Sequence, residues 1–221
     1  MTKDAECIAV YGRRGSGKST FVKAQYLDAR RLVVFDPMGE YGREVRGVIS
    51  FDGVAPLLRY AAPRWHRGFK LAYAPDGNYL EALHRLSEAL WRAQAPYDTG
   101  EDRQKLTLIV EEANLAFPSQ QLRLGQDGFR RLVLQGRHRG IEIVAVTQRP
   151  ARVHPDLRGN CARVICFALA DHIDVREIGQ MIGSDAARAV REQEDHHYTV
   201  IERGQVSQGS NTLGRKSALK Q

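Results

Sequence analysis

Short apolar runs rich in β-branched residues recur along the chain, each bounded by turn residues: Cys7–Val10, Leu32–Phe35, Leu106–Val110, Ile141–Val146, Val164–Leu169 and Tyr198–Ile201. Continuous apolarity, rather than strict alternation, predicts strands covered on both faces, as in a parallel sheet. Phe69–Tyr73 is a further strand candidate, closed by the turn Pro75-Asp76-Gly77-Asn78. Between these runs the spacing turns helical, over Ser19–Ala29, Tyr79–Ala95, Phe129–Arg139 and Val175–Ile182. In the second of these, Leu80, Leu83, Leu90 and Trp91 fall on one face. The alternation predicts an α/β domain, doubly wound, with a mainly parallel sheet and helices on both faces.

The 221 residues suffice for one well-buried domain of this kind and are too few for two. A single domain over residues 1–206 is expected, followed by a flexible basic tail over 207–221 that carries Arg215, Lys216 and Lys220. The formal charge of +7 comes from arginines spread along the chain and suits a polyanionic partner, although it also serves solubility. Cys7, Cys161 and Cys166 are odd in number and read as reduced thiols of a cytosolic protein, with no metal role. No apolar stretch approaches the length of a transmembrane helix, and Met1–Glu6 lacks the features of a signal peptide. Trp65, Trp91 and Tyr79 are expected in or at the edge of the core, and His196-His197, adjacent on a strand, point to opposite faces and so make no metal pair.

The candidate chemistry begins directly behind the first strand. Gly12-Arg13-Arg14-Gly15-Ser16-Gly17-Lys18-Ser19 fits G-x-x-x-x-G-K-[ST], the P-loop, in the strand-loop-helix context its mechanism requires. Backbone N–H groups close around phosphates, Lys18 reaches the β- and γ-phosphates, and the Ser19 hydroxyl is a ligand for Mg²⁺. The start of the following helix adds its positive dipole end. Gly12, Arg13, Arg14, Gly15, Ser16, Gly17, Lys18, Ser19 and Thr20 are therefore the expected contacts of a nucleoside triphosphate, taken here as ATP.

The strand Leu106–Val110 ends in Glu111-Glu112, an arrangement of the Walker B kind. The first acid holds the metal and the second orients or deprotonates the attacking water, which assigns Glu111 to Mg²⁺ and Glu112 to catalysis. The usual first acid is aspartate; glutamate is one methylene longer, so Glu111 must lie back or reach the ion through water. The strand Ile141–Val146 runs into Thr147-Gln148-Arg149-Pro150, which makes Gln148 a candidate sensor of the γ-phosphate.

These motifs in order, together with Asp36-Pro37-Met38-Gly39-Glu40-Tyr41 and Gly136-Arg137-His138-Arg139-Gly140, resemble the FtsK/HerA superfamily of DNA-pumping ATPases over residues 6–183. The resemblance implies a RecA-like (ASCE) P-loop NTPase in which the strand carrying Gln148 lies between the P-loop strand and the Walker B strand. It further implies a ring, usually a hexamer, around double-stranded DNA, with an arginine acting in trans in the neighbouring site. The matching position is Arg137, with Arg139 as the alternative. Because the chain carries no evident membrane helix or added domain, it is most similar to genome-packaging ATPases of tailless, internal-membrane viruses, the tectivirus-like group. That implies a place at the packaging vertex of a virion and in the host cytoplasm, with capsid portal or vertex proteins as partners; outside a viral setting the expectation is cytoplasmic. Phage-assembly ATPases of the zonula-occludens-toxin type share the pattern.

Some residues leave two readings open. Asp36 and Glu40 face the nucleotide or the next subunit, or simply make a turn. Arg123, Arg130 and Arg131 follow the Walker B strand where a ring has central loops, and are either phosphate contacts or part of a solvated helix face. Arg149, Arg152 and Arg158 form a second basic group in a surface connection. A small P-loop kinase and a nucleotide-dependent scaffold with little hydrolysis are the alternatives to a motor.

Overall fold

The computed structural model describes residues 5–211 apart from 121, 123 and 124. Among the described residues, nine strands form one sheet: β1 Cys7–Tyr11, β2 Arg31–Phe35, β3 Ile49–Phe51, β4 Phe69–Tyr73, β5 Leu106–Val110, β6 Ile141–Thr147, β7 Arg163–Phe167, β8 His197–Glu202 and β9 Gln205–Ser210. Their order is β3-β4-β2-β5-β6-β1-β7-β8-β9. The first seven in the chain run parallel, and β8 and β9 close one side of the sheet as antiparallel neighbours.

Ten helices accompany the sheet among the described residues. They are α1 Lys18–Tyr26, α2 Glu40–Glu44, α3 Val54–Ala61, α4 Tyr79–Ala93, α5 Ala95–Thr99, α6 Ala113–Ala116, α7 Gly128–Gln135, α8 Pro155–Asn160, α9 His172–Ile182 and α10 Ser184–Glu192. Successive strand residues point to opposite faces, and the core divides accordingly. Val33, Phe35, Leu108, Val110 and Ile143 meet Leu83, Leu86, Phe129 and Leu132 from α4 and α7 on one face. Leu32, Val34, Ile109, Val144 and Val146 meet Phe21 and Val22 of α1 on the other. A third cluster joins β1 and β7 to Ile178, Ala187 and Val190 of α9 and α10. Trp65, Trp91 and Tyr79 pack half-buried against the first cluster, as expected.

Three expectations need correction. Tyr198–Ile201 is a strand, but β8 pairs antiparallel with β7 rather than extending the parallel set. The helix expected over Phe129–Arg139 ends at Gln135 and tightens into a 3₁₀ turn over Gly136–Arg139 before β6. The tail expected from Ser207 does not begin there, because β9 carries the chain through Ser210 against β8; the remainder of that expectation, 212–221, lies outside the described residues. Cys7 and Cys166 are buried, and Cys161 partly so.

In a parallel sheet the C-terminal ends of all strands lie along one edge, where ligands of open α/β folds bind. The turns after β1, β2, β5 and β6 therefore converge, and these are the turns that carry the sequence motifs.

Candidate nucleotide site

The P-loop is packed tightly onto its surroundings. A Cβ on Gly12 would stand 2.7 Å from Phe167 Cβ and 2.6 Å from Ser16 Oγ, so only glycine fits at the exit of β1. Gly17, with φ of +99°, turns the chain into α1, and a Cβ there would lie 2.6 Å from His196 Nδ1. The Arg13 N–H donates to the Ala168 carbonyl at 2.8 Å, which ties the loop to the end of β7. Helix α1 starts at Lys18 with no side-chain cap, so its first N–H groups stay available to an anion. The Ser16 hydroxyl is buried without a partner among the described residues.

Lys18 is buried, and its ammonium donates to the Arg13 carbonyl at 3.4 Å across the loop. Burial pushes its pKa down, while the carboxylates of Glu112, Glu111 and Glu40 act in the opposite sense. The P-loop lysine thus faces both acids that follow β5.

Those acids have distinct surroundings. Glu111 accepts a hydrogen bond from the Tyr41 hydroxyl at 2.8 Å. Burial raises its pKa to about 7, opposed by the Tyr41 bond and Lys18 and reinforced by the nearby charges of Glu112 and Asp36. Glu112 takes the left-handed conformation, φ 47°, at the start of α6, and its Oε1 accepts from Gln148 Nε2 at 2.8 Å. Gln148 stands at the end of β6, which lies between β1 and β5. The strand arrangement implied by the resemblance is therefore present, and it puts the amide in contact with the second acid. The neighbouring Thr147 hydroxyl is 2.6 Å from Asn114 Oδ1 of α6, which steadies the same turn.

The raised pKa of Glu111 has a consequence for stability without nucleotide or metal. The unfolded carboxyl titrates near 4.5 and the folded one near 7, so between these values the folded chain holds a proton that the unfolded chain has lost. The stabilisation from this group is complete below pH 4.5 and lost as pH rises through 7, amounting to roughly 3 kcal/mol at most. Melting curves of the wild type and Glu111→Gln should coincide near pH 4.5 and separate as pH rises, with the variant the more stable by pH 8. Parallel behaviour across that range would contradict the buried placement of Glu111.

Of the remaining candidates, Arg137 is exposed and has no ion-pair partner among the described residues. Arg139 is committed within the fold: its guanidinium lies 4.6 Å from the Trp91 ring centroid and 3.7 Å from Asp98. This disfavours Arg139 as the residue acting in a neighbour. Arg130 pairs with Asp156, and Arg131 with Glu88 at 3.2 Å, so neither is an uncommitted cation for phosphate. Arg123 lies outside the described residues. Arg149 is locked to Asp171 and Asp174 at 2.9 and 2.7 Å, and Arg158 to Glu177 at 3.2 Å, while Arg152 is exposed. Asp36 makes the turn, its carboxylate accepting from the backbone N–H groups of Glu40 and Tyr41.

One group at the site escaped the sequence reading. The turn before β8 lies against the P-loop: His196 N–H donates to the Ser16 carbonyl at 2.8 Å, and Arg13 pairs with Asp195 at 3.0 Å. The Asn211 amide reaches the Gly17 carbonyl at 3.5 Å from the end of β9. His196 has φ of 67°, a conformation held here by these contacts. Only the folding back of β8 and β9 beside β7 brings these residues to the loop, and no local spacing announces it.

No helix among the described residues is long and apolar enough to cross a membrane. No protein-family model and no curated protein sequence matches the chain. Solved structures do. The genome packaging NTPase B204 from Sulfolobus turreted icosahedral virus 2, in complex with AMP, is 18% identical, with a TM-score of 0.70 over 96% of this chain and 100% of that one. B204 from Sulfolobus turreted icosahedral virus, described as a DNA-packaging ATPase, is 16% identical, with a TM-score of 0.66 over 95% and 98%. VirB4 of Thermoanaerobacter pseudethanolicus is 11% identical, with a TM-score of 0.57 over 94% and 90%. The likeness is one of fold, and it extends over nearly the whole of both chains: this protein has the mainly parallel α/β fold of the packaging NTPase B204.

Proposed function

We propose that this chain is a Mg²⁺-dependent ATPase that moves double-stranded DNA, packaging a genome into a preformed capsid as a homo-oligomeric ring, a hexamer by analogy with the superfamily. The observation that carries the reading is the convergence, at one sheet edge, of the P-loop with Lys18, the acids Glu111 and Glu112, and Gln148 in contact with Glu112. The near-complete mutual coverage with B204, described as a genome packaging NTPase, supports the packaging reading.

The residues present fit a magnesium ion. Mg²⁺ takes one or two carboxylates with water and phosphate oxygens rather than an all-protein cage, and here Glu111, just after β5, and the Ser19 hydroxyl, in the first turn of α1, are donors of that kind. When bound, the ion neutralises charge on the β- and γ-phosphate oxygens. The protein supplies the remainder. Lys18 and the N–H groups at the start of α1 bind the phosphates, Glu112 accepts the proton of the attacking water, and Gln148 holds Glu112 in place.

The test is ATP turnover against protein concentration, with and without duplex DNA. Turnover should rise more steeply than protein concentration as rings assemble, and rise further with DNA. DNA binding should be nearly independent of sequence and weaken steeply with salt, as cations displacing counterions require. Lys18→Ala should lose nucleotide affinity and turnover together, because it removes the cation on the β- and γ-phosphates. Release of a phosphorylated acceptor in place of free phosphate, or near-normal hydrolysis by Lys18→Ala, would overturn the reading.

A further inference from the structure

We propose that Tyr41 is the positioning residue of the metal-binding acid, and that the segment Asp36–Tyr41 serves to present its hydroxyl to Glu111. The inference rests on the nucleotide-site reading above and gives a role to a residue that reading leaves without one.

The argument starts at the end of β2. Strands β2 and β5 are neighbours in register, and the Glu111 N–H donates to the Phe35 carbonyl at 3.0 Å, so the turn after β2 begins beside the metal-binding acid. Asp36, almost fully buried, accepts at Oδ1 from the Glu40 N–H (3.0 Å) and at Oδ2 from the Tyr41 N–H (2.8 Å). Gly39, at φ of +65°, allows the chain to fold back sharply enough for both bonds to form. The result fixes the backbone of Tyr41, whose ring is 1% exposed and belongs to the core cluster under α1. Lys23 of α1 lies 5.2 Å from the centre of that ring, which connects it to the helix behind the P-loop. A buried phenol needs a hydrogen-bond partner, and the one it has is Glu111 Oε1 at 2.8 Å.

A glutamate has one more rotatable bond than the aspartate more usual at this position, and so more ways to miss the ion. The bond from Tyr41 engages one carboxylate oxygen, removes much of that freedom and leaves Oε2 for the cation. The carboxylate is thereby held back from the phosphates, as the extra methylene requires. Residues orienting a metal ligand in this way typically change metal affinity 10–100-fold when removed.

The experiment is Tyr41→Phe in the full chain, which keeps the ring and deletes the donor. Binding of a fluorescent ATP analogue is measured with chelator and then across a Mg²⁺ titration, repeated with Mn²⁺ by its paramagnetic resonance signal. The expected result is unchanged metal-free nucleotide binding and a half-saturating cation concentration raised about 10-fold. In a Glu111→Asp background the carboxylate no longer reaches Tyr41, so Tyr41→Phe should have little further effect on the cation titration. Should Tyr41→Phe fail to fold, Asp36→Asn, which weakens the hold on the Tyr41 backbone, is read in the same way and should shift the cation titration in the same direction. An unchanged cation dependence, or equal losses with and without metal, overturns the assignment while leaving the nucleotide site intact. Absence of nucleotide binding by the wild type overturns both.

Discussion

Glu112→Gln should bind ATP with wild-type affinity and hydrolyse it on the order of 10²–10⁴-fold more slowly, the range for removal of a general base. The amide keeps the size and shape of the carboxylate and still offers an oxygen to Gln148 Nε2, which donates to Glu112 at 2.8 Å. It cannot accept a proton from water. The backbone supports this assignment independently: Glu112 sits at φ of 47°, where a non-glycine residue is strained, and such strain persists where the surroundings over-determine it. Nucleotide binding followed by filter or fluorescence, with phosphate release measured on the same preparation, separates the two steps. If binding and turnover fell in proportion, Glu112 would be a positioning residue and Glu111 the better candidate for the base. Gln148→Ala should have the same direction and a smaller effect, since it leaves the base in place but unrestrained.

What the sequence made legible follows from where apolar continuity and local motif coincide. Strands β1, β5 and β6 are almost wholly apolar, Thr107, Glu142 and Thr147 aside, and each runs into one of the candidate motifs, so their C-terminal turns could be read without a structure. The missed elements lack that signal. β3 has three residues and is largely exposed, and β9, Gln205-Val206-Ser207-Gln208-Gly209-Ser210, is polar enough to read as a tail. Both lie at the sides of the sheet, where backbone pairing suffices and no apolar pattern is demanded. Helix α10 offers only Ala187 and Val190 as buried anchors, too few to establish a period. The contact of His196 with the P-loop is a product of topology, since 180 residues of sequence separate it from Ser16 and only the antiparallel return of β8 brings it back. The Asp36–Tyr41 segment was legible as a motif but not as a mechanism, because its bond to Glu111 depends on β2 lying beside β5.

Arg137→Ala should bind ATP normally yet lose on the order of 10³–10⁵ in turnover, the loss typical of an arginine finger. The fold itself argues that any catalytic role is exerted on another subunit. Arg137 lies in the 3₁₀ turn before β6, while the P-loop follows the far end of β1, and the register sets Tyr11 opposite Thr147, the last residue of β6. The strand from Ile141 to Thr147 therefore separates Arg137 from its own P-loop by roughly 20 Å at the rise of an extended chain, beyond the reach of any side chain. Exposure and the absence of an ion-pair partner among the described residues leave the guanidinium available, whereas Arg139 is spent on Trp91 and Asp98. Mixing decides the point. Arg137→Ala subunits retain an intact P-loop and Lys18→Ala subunits an intact finger, so an interface formed between the two contains one complete site. Turnover should reappear in the mixture and peak at intermediate ratios, with each variant alone remaining inactive. Demonstrated co-assembly without recovery at any ratio would remove Arg137 from catalysis in trans, and the arginine acting on the neighbour would have to be sought among the exposed residues of another face.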